Sequence, residues 1–148
     1  LLLPVEILAP SIFASPAWPA HSWLWMVGLA AITGHMFSPF LKFKGGKGVA
    51  TSAGVLAGAA PPAVGIGLAA WVLLFVATRY VSVASIGAAL SIALAGWLIY
   101  RQDVLLPVVL SLLAMVIVWR HRSNVARLIS GKESRFEFRK KRTTNGHE

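Results

Sequence analysis

Residues 63–78 read AVGIGLAAWVLLFVAT, a run of sixteen residues without a single charge. Comparable apolar runs occupy residues 20–36, 49–60, 83–100 and 104–119, and the whole chain is 57% hydrophobic and only 13% charged. Inside a bilayer every backbone polar group needs a partner within the chain, which favours helices. The pattern therefore predicts an all-α integral membrane protein, a polytopic helix bundle.

The ends of the apolar runs are marked by proline, glycine and charge. Residues 1–11 resemble the tail of a further membrane helix, and the prolines at 16 and 19 indicate a loop. The run at 49–60 would rise ~18 Å as a helix, less than the ~30 Å hydrocarbon core. Either the glycine-rich loop before it dips into the membrane, or the helix begins before residue 49.

The basic residues are unevenly distributed. The formal net charge is +9, and nine of the fourteen lysines and arginines lie from Arg120 onward. Nucleic-acid binding is one interpretation of such a charge, but clusters at membrane ends more simply mark the cytoplasmic side. Counting crossings places loop 42–47, the turn at Arg79 and the tail after Arg120 on that side. The loop and the tail, the two most polar stretches, could therefore build one site. The chain has no cysteine, which excludes a disulfide framework and a Cys metal site; we expect no metal, no cofactor and no nucleic acid.

Residues 37–51, FSPFLKFKGGKGVAT, form the densest polar stretch between apolar runs. Glycine lets backbone amides approach a ligand, lysine adds positive charge, and a helix opening at Val49 would direct its amides to the same point. The stretch is not a nucleotide P-loop, since Leu41 stands where that motif needs glycine and Gly48 where it needs Ser or Thr. It predicts a phosphate-binding loop; the alternative is a basic loop that only sets topology.

A second polar constellation follows the last apolar run. His121, Asn124 and Arg127 share one face of a predicted helix, and Gly131 is a plausible helix stop. This face is typical of a catalytic helix or, alternatively, of an amphipathic helix at the membrane surface. The predicted organisation is a transmembrane helical domain (1–119) that contains the cytoplasmic loop 37–51, a cytoplasmic amphipathic segment (120–134) and a flexible basic tail (135–148) drawn to anionic membrane lipids.

Taken together, the two polar stretches resemble signatures of a known family. Gly34-His35-x-Phe37 through Phe43-Lys44-Gly45-Gly46-Lys47-Gly48-Val49-Ala50-Thr51 resembles the second signature of the bacterial acyl-phosphate:glycerol-3-phosphate acyltransferases, the PlsY family. Arg120-His121-Arg122-x-Asn124-x-x-Arg127-Leu128 through Gly131-x-Glu133 resembles the third. The resemblance implies a multi-pass enzyme of the bacterial inner membrane with seven helices, of which about five to six lie in this chain, and an active site facing the cytoplasm.

The implied reaction moves an acyl group from acyl phosphate to the 1-hydroxyl of glycerol 3-phosphate and yields lysophosphatidic acid for phospholipid biosynthesis. Acyl phosphate is already activated, so no nucleophilic Ser or Cys is required. The resemblance assigns activity to His121 and Asn124 and a structural role to Glu133. His35 is a lone histidine at the end of an apolar run, a position more typical of a hydrogen-bonded structural residue than of a catalytic one. The candidate substrate-phosphate residues are Lys42, Lys44, Gly45, Gly46, Lys47, Gly48 and Thr51.

The main departure from the family is that the Gly-Ser-Gly-Asn-rich first signature, with its essential Ser and Arg, is absent. We therefore expect this chain alone to show little or no activity. Two other classes fit parts of the sequence. An anion-binding membrane transporter would use the helices and lysines but predicts repeats and buried charges. A non-catalytic lipid-binding membrane subunit explains the basic tail but leaves the glycine loop unused.

Overall fold

The computed structural model describes residues 20–38 and 45–137, and these residues form helices joined by short connections. The chain divides into two compact units, residues 1–55 and 56–148. The helices, in order, are α1 (Ala20–Met36), α2 (Val49–Ala59), α3 (Pro61–Thr78), α4 (Val81–Ile99), α5 (Leu105–Arg120) and α6 (Arg122–Ile129). The expectations for residues 1–19 and for most of the basic tail lie outside the described residues.

The helix ends follow local chemistry. Gly48 has φ +77°, and α2 begins at the next residue, so the helix does not start before Val49. Helix α3 begins at Pro61, two residues earlier than the apolar run predicted, because proline fits the first helical turn, where its missing N–H is not needed. Asp103 accepts hydrogen bonds from the N–H groups of Leu105 and Leu106 at the start of α5, as a capping carboxylate does.

Helices α3, α4 and α5 pack as successive antiparallel neighbours in the second unit. The buried residues of α4 are all small: Ser82, Ala84, Ser85, Ala88, Ala89, Ala95 and Gly96. Small residues let helix backbones approach closely. Two indole N–H groups bridge the helix pairs, from Trp71 to the Ser85 hydroxyl at 3.3 Å and from Trp97 to the Ser111 hydroxyl at 3.1 Å.

The outward faces of these helices are apolar, as a lipid-facing surface requires. Leu73 of α3 and Leu94 of α4, for example, are 70% and 61% exposed. Among the described residues, Pro61–Thr78 and Val81–Ile99 are long and apolar enough to cross a membrane, and α5 with α6 forms a third candidate that bends by 51°. The protein is a helical membrane protein, while the number of five to six spans stays a prediction.

The turn at Arg79 and the chain beyond Arg120 lie at the same end of the second unit. The Phe136 N–H donates to the Arg79 carbonyl at 2.8 Å, and the Ser82 hydroxyl donates to Glu133 at 2.9 Å. At the other end of this unit, residues 101–103 form the turn that connects α4 to α5, in which the Asp103 N–H donates a hydrogen bond to the Tyr100 carbonyl. Within this unit, the arrangement of ends agrees with the crossing count made from the sequence.

Candidate active site

Four polar residues meet where α4, α6 and the chain after α6 converge, and we call them the Glu133 cluster: Glu133, Asn124, Ser82 and Arg127. Glu133 Oε1 accepts hydrogen bonds from Asn124 Nδ2 at 2.6 Å and from Ser82 Oγ at 2.9 Å. Glu133 Oε2 accepts from Arg127 Nε at 2.9 Å. Two helices thus bind one carboxylate, although Glu133 itself belongs to neither.

These contacts favour the ionised form of Glu133. The hydrogen bond from Asn124 is the largest cause, and with further hydrogen bonds from Ser82 and Arg127 and the Arg127 charge it lowers the pKa of Glu133 from 4.5 to about 2. Burial of the carboxylate opposes this shift. A carboxylate in this state can only accept hydrogen bonds, so it holds the NH₂ side of the Asn124 amide towards itself.

The orientation of the Asn124 amide leaves its carbonyl oxygen facing the other way. Asn124 is 5% exposed, and among the described residues its Oδ1 is a buried atom without a hydrogen-bond partner. Burying an unpaired carbonyl costs free energy, about 1–3 kcal/mol. Such an atom is suited to accept a hydrogen bond from a hydroxyl or an amine of a ligand.

His121 lies at the bend between α5 and α6 and is 2% exposed. Its ring Nδ1 is 2.8 Å from the Ile117 carbonyl oxygen. A carbonyl can only accept, so the proton of a neutral imidazole resides on Nδ1, and Nε2 is the basic nitrogen. The Asn124 N–H donates to the His121 carbonyl at 2.9 Å, which places the two residues in the same helical turn.

The chain reverses after α6 through a glycine, as the sequence predicted. Gly131 has φ +67°, a value that favours glycine. Its N–H donates to the Leu128 carbonyl, and the next N–H, of Lys132, donates to the Arg127 carbonyl at 2.7 Å. This pair of hydrogen bonds is a Schellman motif. It turns the chain back so that Glu133 meets Asn124 and Arg127 of the helix it has just left.

The first unit holds the described part of the glycine-lysine loop, where Gly45–Gly48 pack on the end of α1. A Cβ on Gly45 would overlap the carbonyl oxygens of His35 and Met36, and one on Gly46 would overlap His35 Nε2. A Cβ on Gly48 would lie 2.6 Å from Met36 Sδ. The loop therefore needs glycine because the backbone approaches α1 closely. Both the backbone and the imidazole of His35 take part in that contact.

The remaining predicted loop residues are placed as follows. Lys47 is exposed, and Thr51 is partly buried in the first turn of α2. Lys42 and Lys44 lie outside the described residues. Where the chain is described, no group of His, Cys, Asp or Glu could hold a metal ion. The phosphate contacts proposed for these loop residues remain predictions.

Two residues of the second unit were missed by sequence reasoning. Ser82 lies inside an apolar helix and matches no motif, yet it is 5% exposed and contacts Glu133. A buried serine near the charged end of a span was the available signal. Phe136 fell in the predicted flexible tail, but it packs edge-on against Phe75, with ring centroids 5.4 Å apart. The start of the predicted tail therefore contacts α3, while the flexibility predicted for residues 135–148 stays a prediction.

Comparison with known proteins places these residues in a family. The family model for glycerol-3-phosphate acyltransferase matches residues 2–131. The chain belongs to the glycerol-3-phosphate acyltransferase family. Among curated relatives of that name, the one from Desulforudis audaxviator is 48% identical over 121 residues, which cover 78% of this chain and 58% of the relative. The one from Pseudomonas fluorescens is 43% identical over 130 residues, which cover 87% and 67%. The chain thus spans about three fifths to two thirds of these relatives.

Two solved structures share the fold. Both are crystal structures of PlsY, an integral membrane glycerol 3-phosphate acyltransferase, one in its glycerol 3-phosphate form and the other in its lysophosphatidic acid form. The first is 39% identical with a TM-score of 0.69 and covers 74% of this chain and 55% of that one. The second is 37% identical with a TM-score of 0.69 and covers 76% and 59%. The predicted family is confirmed.

Proposed function

We propose that this chain carries part of the active site of a membrane acyltransferase. The reaction moves an acyl group from acyl phosphate to the 1-hydroxyl of glycerol 3-phosphate and yields lysophosphatidic acid. The observation that supports it most directly is the pair His121 and Asn124, buried in one helical turn with the Asn124 carbonyl lacking a partner among the described residues. The family match supports this enzyme over a transporter or a lipid-binding subunit.

In the proposed mechanism, the 1-hydroxyl donates a hydrogen bond to His121 Nε2, and its oxygen attacks the acyl carbonyl carbon. Asn124 Oδ1 accepts a hydrogen bond from another hydroxyl of the same acceptor and helps to orient it. The ester C–O bond forms, the C–O bond to phosphate breaks, and inorganic phosphate leaves. The hydroxyl proton passes to Nε2 and then to the departing phosphate. General-base assistance of this kind contributes about 10²–10⁴-fold.

Both substrates are anionic, so the site must also carry positive charge. We assign Lys42, Lys44 and Lys47, with Gly45, Gly46, Gly48 and Thr51, to the phosphate of glycerol 3-phosphate, because charge and close backbone approach suit an anion. Preorganised positive donors of this kind stabilise charge that develops in the transition state. We assign structural roles to Glu133, which orients Asn124, and to His35, which packs on the loop.

The finer organisation is also a proposal. By the positive-inside rule, the end of the second unit that carries Arg79, Arg120 and Arg122 faces the cytoplasm of a bacterial inner membrane. We propose that the chain supplies five to six spans of a seven-helix fold. Acyl phosphate and membrane lipids complete the set of partners.

The proposal is tested in membranes that contain the chain, with an acyl phosphate and labelled glycerol 3-phosphate, by measuring lysophosphatidic acid. The chain is assayed alone and joined to a relative's N-terminal segment that carries the first signature. We expect turnover in the joined protein and its loss in the His121→Ala and Asn124→Ala variants. No turnover in the joined protein, or full turnover in both variants, would contradict the proposal.

A further inference from the structure

The chain after α6 crosses to α3, and we call residues 132–136 the return segment. Its first residue, Lys132, is held by the hydrogen bond to the Arg127 carbonyl of α6. Its last residue, Phe136, donates its N–H to the Arg79 carbonyl at the end of α3, at 2.8 Å. Glu133 lies between these two attachments. Its position thus depends on a segment that is tied to α6 at one end and to α3 at the other.

The Phe136 side chain strengthens the second attachment. Its ring meets Phe75 edge-on, and Phe75 stacks on Trp71 with centroids 4.9 Å apart and planes 18° from parallel. Phe75 precedes Arg79 by one helical turn, and its carbonyl accepts the Arg79 N–H. The ring contact and the backbone hydrogen bond therefore both attach Phe136 to the last turn of α3. Phe136 is 48% exposed, so about half of its surface is buried.

Glu133 needs such an anchor because its partners belong to different elements. Ser82 is on α4, whereas Asn124 and Arg127 are on α6. Helix α6 ends at Ile129 and offers the return segment no further helical hydrogen bonds beyond the turn at Gly131. A released segment regains backbone freedom, and its carboxylate would spend less time against the Asn124 amide.

We propose that Phe136 is a positioning residue that holds Glu133 against Asn124 and thereby aims Asn124 Oδ1 at the acyl acceptor. The effect on turnover rests on the proposed function; the effect on the Asn124 amide does not. An aromatic pair shifts the equilibrium between the attached and the released return segment by about 2- to 12-fold. Ser82 and Arg127 still contact Glu133 when Phe136 is lost, so we expect a partial effect.

The first test reads the Asn124 amide directly by NMR of the full chain in detergent. The sequence has two asparagines, Asn124 and Asn145, so labelling with ¹⁵N-asparagine gives two side-chain NH₂ groups, and Asn124→Ser identifies which is which. The Glu133→Gln variant gives the chemical shift that the Asn124 NH₂ group has when the carboxylate is absent. We expect Phe136→Ala to move the signal towards that value, Phe136→Tyr to leave it in place, and Ser134→Ala, an exposed neighbour, to serve as the unaffected control.

The second test measures kinetics in the joined protein. We expect Phe136→Ala to lower kcat about 2- to 12-fold with less effect on the KM for acyl phosphate, and Phe136→Tyr to restore kcat. Phe75→Leu removes the other ring of the contact, so it should reproduce the Phe136→Ala result, and combining the two should add little. A purely structural effect would lower the amount of folded protein without changing kcat per folded molecule.

The outcomes separate the two proposals. An Asn124 signal unchanged by Phe136→Ala overturns the positioning role, as does a shifted signal with unchanged kcat. If the joined protein shows no turnover before any substitution, the proposed function fails, and the NMR comparison alone then decides whether Phe136 positions Glu133.

Discussion

At the scale of single residues, the Glu133 carboxylate carries a testable pH dependence. Its pKa is lowered from 4.5 to about 2 in the folded protein, so the ionised form stabilises the fold above the ordinary pKa, and this contribution is lost as the pH falls from about 4.5 towards 2. We expect the melting temperature in detergent to fall across that range. Glu133→Gln should melt lower near neutral pH and show a smaller fall. Equal falls in both proteins would contradict the assignment.

Lys47 is the described lysine of the loop, and its role is tested by charge. A charge-assisted hydrogen bond contributes ~1.5–3 kcal/mol, and ~1.4 kcal/mol corresponds to tenfold. In the joined protein, Lys47→Ala should therefore weaken glycerol 3-phosphate use roughly 10- to 150-fold, while Lys47→Arg rescues only partly. Lys132→Ala, another exposed lysine, is the control. If kcat and the KM for glycerol 3-phosphate are unchanged, the loop only sets the topology and does not bind phosphate. If only the KM for acyl phosphate rises, Lys47 contacts the phosphate of acyl phosphate and not that of glycerol 3-phosphate.

Gly46 is needed for a steric reason. Among the described residues of the loop, the positive φ lies at Gly48, whereas a Cβ on Gly46 would overlap the His35 imidazole. In the joined protein, we expect Gly46→Ala to lower acyl transfer and the melting temperature in detergent, and to do so much less when combined with His35→Ala, because the second change removes the overlapping ring. A double variant that behaves as the sum of the two single ones would contradict this contact.

At the scale of elements, the close approach of α3 to α4 depends on Gly67. A Cβ there would overlap the Ile92 side chain and lie 3.3 Å from the Ala88 carbonyl, whereas one on Gly65, on the same helix, meets nothing within 4 Å. Gly67→Leu should destabilise the protein by about 1–3 kcal/mol through overpacking. Gly65→Leu gains the same helix propensity and should be neutral or stabilising. Equal unfolding free energies in detergent would show that the helices do not pack as described.

At the scale of the whole molecule, the second unit predicts a membrane topology. Ser130 and Gln102 are exposed and lie at opposite ends of its helices, and the native chain has no cysteine. An impermeant thiol reagent should modify Ser130→Cys only in inverted vesicles and Gln102→Cys only in right-side-out ones. Modification of both from the same side would mean that α5 does not cross the membrane.

The sequence alone determined the family, the helical class and most helix boundaries in the described part. Long apolar runs leave a chain in lipid few alternatives to a helix, and prolines, glycines and charges mark where each run ends. Thus the ends of α1 and the helix stop at Gly131 were predictable from local chemistry. The position of His121 and Asn124 in one turn also followed, because helical spacing is local.

Only the tertiary structure decided what surrounds those residues. Ser82 and Glu133 are 51 residues apart, and no spacing rule links them, since their contact depends on how the start of α4 lies against the chain after α6. Phe136 looked like part of a polar tail because its partner, Phe75, is remote in sequence. The reason that loop glycines are needed likewise became visible only when His35 and Met36 were placed against them. Local patterns predict helices, whereas contacts between them depend on packing that brings distant residues together.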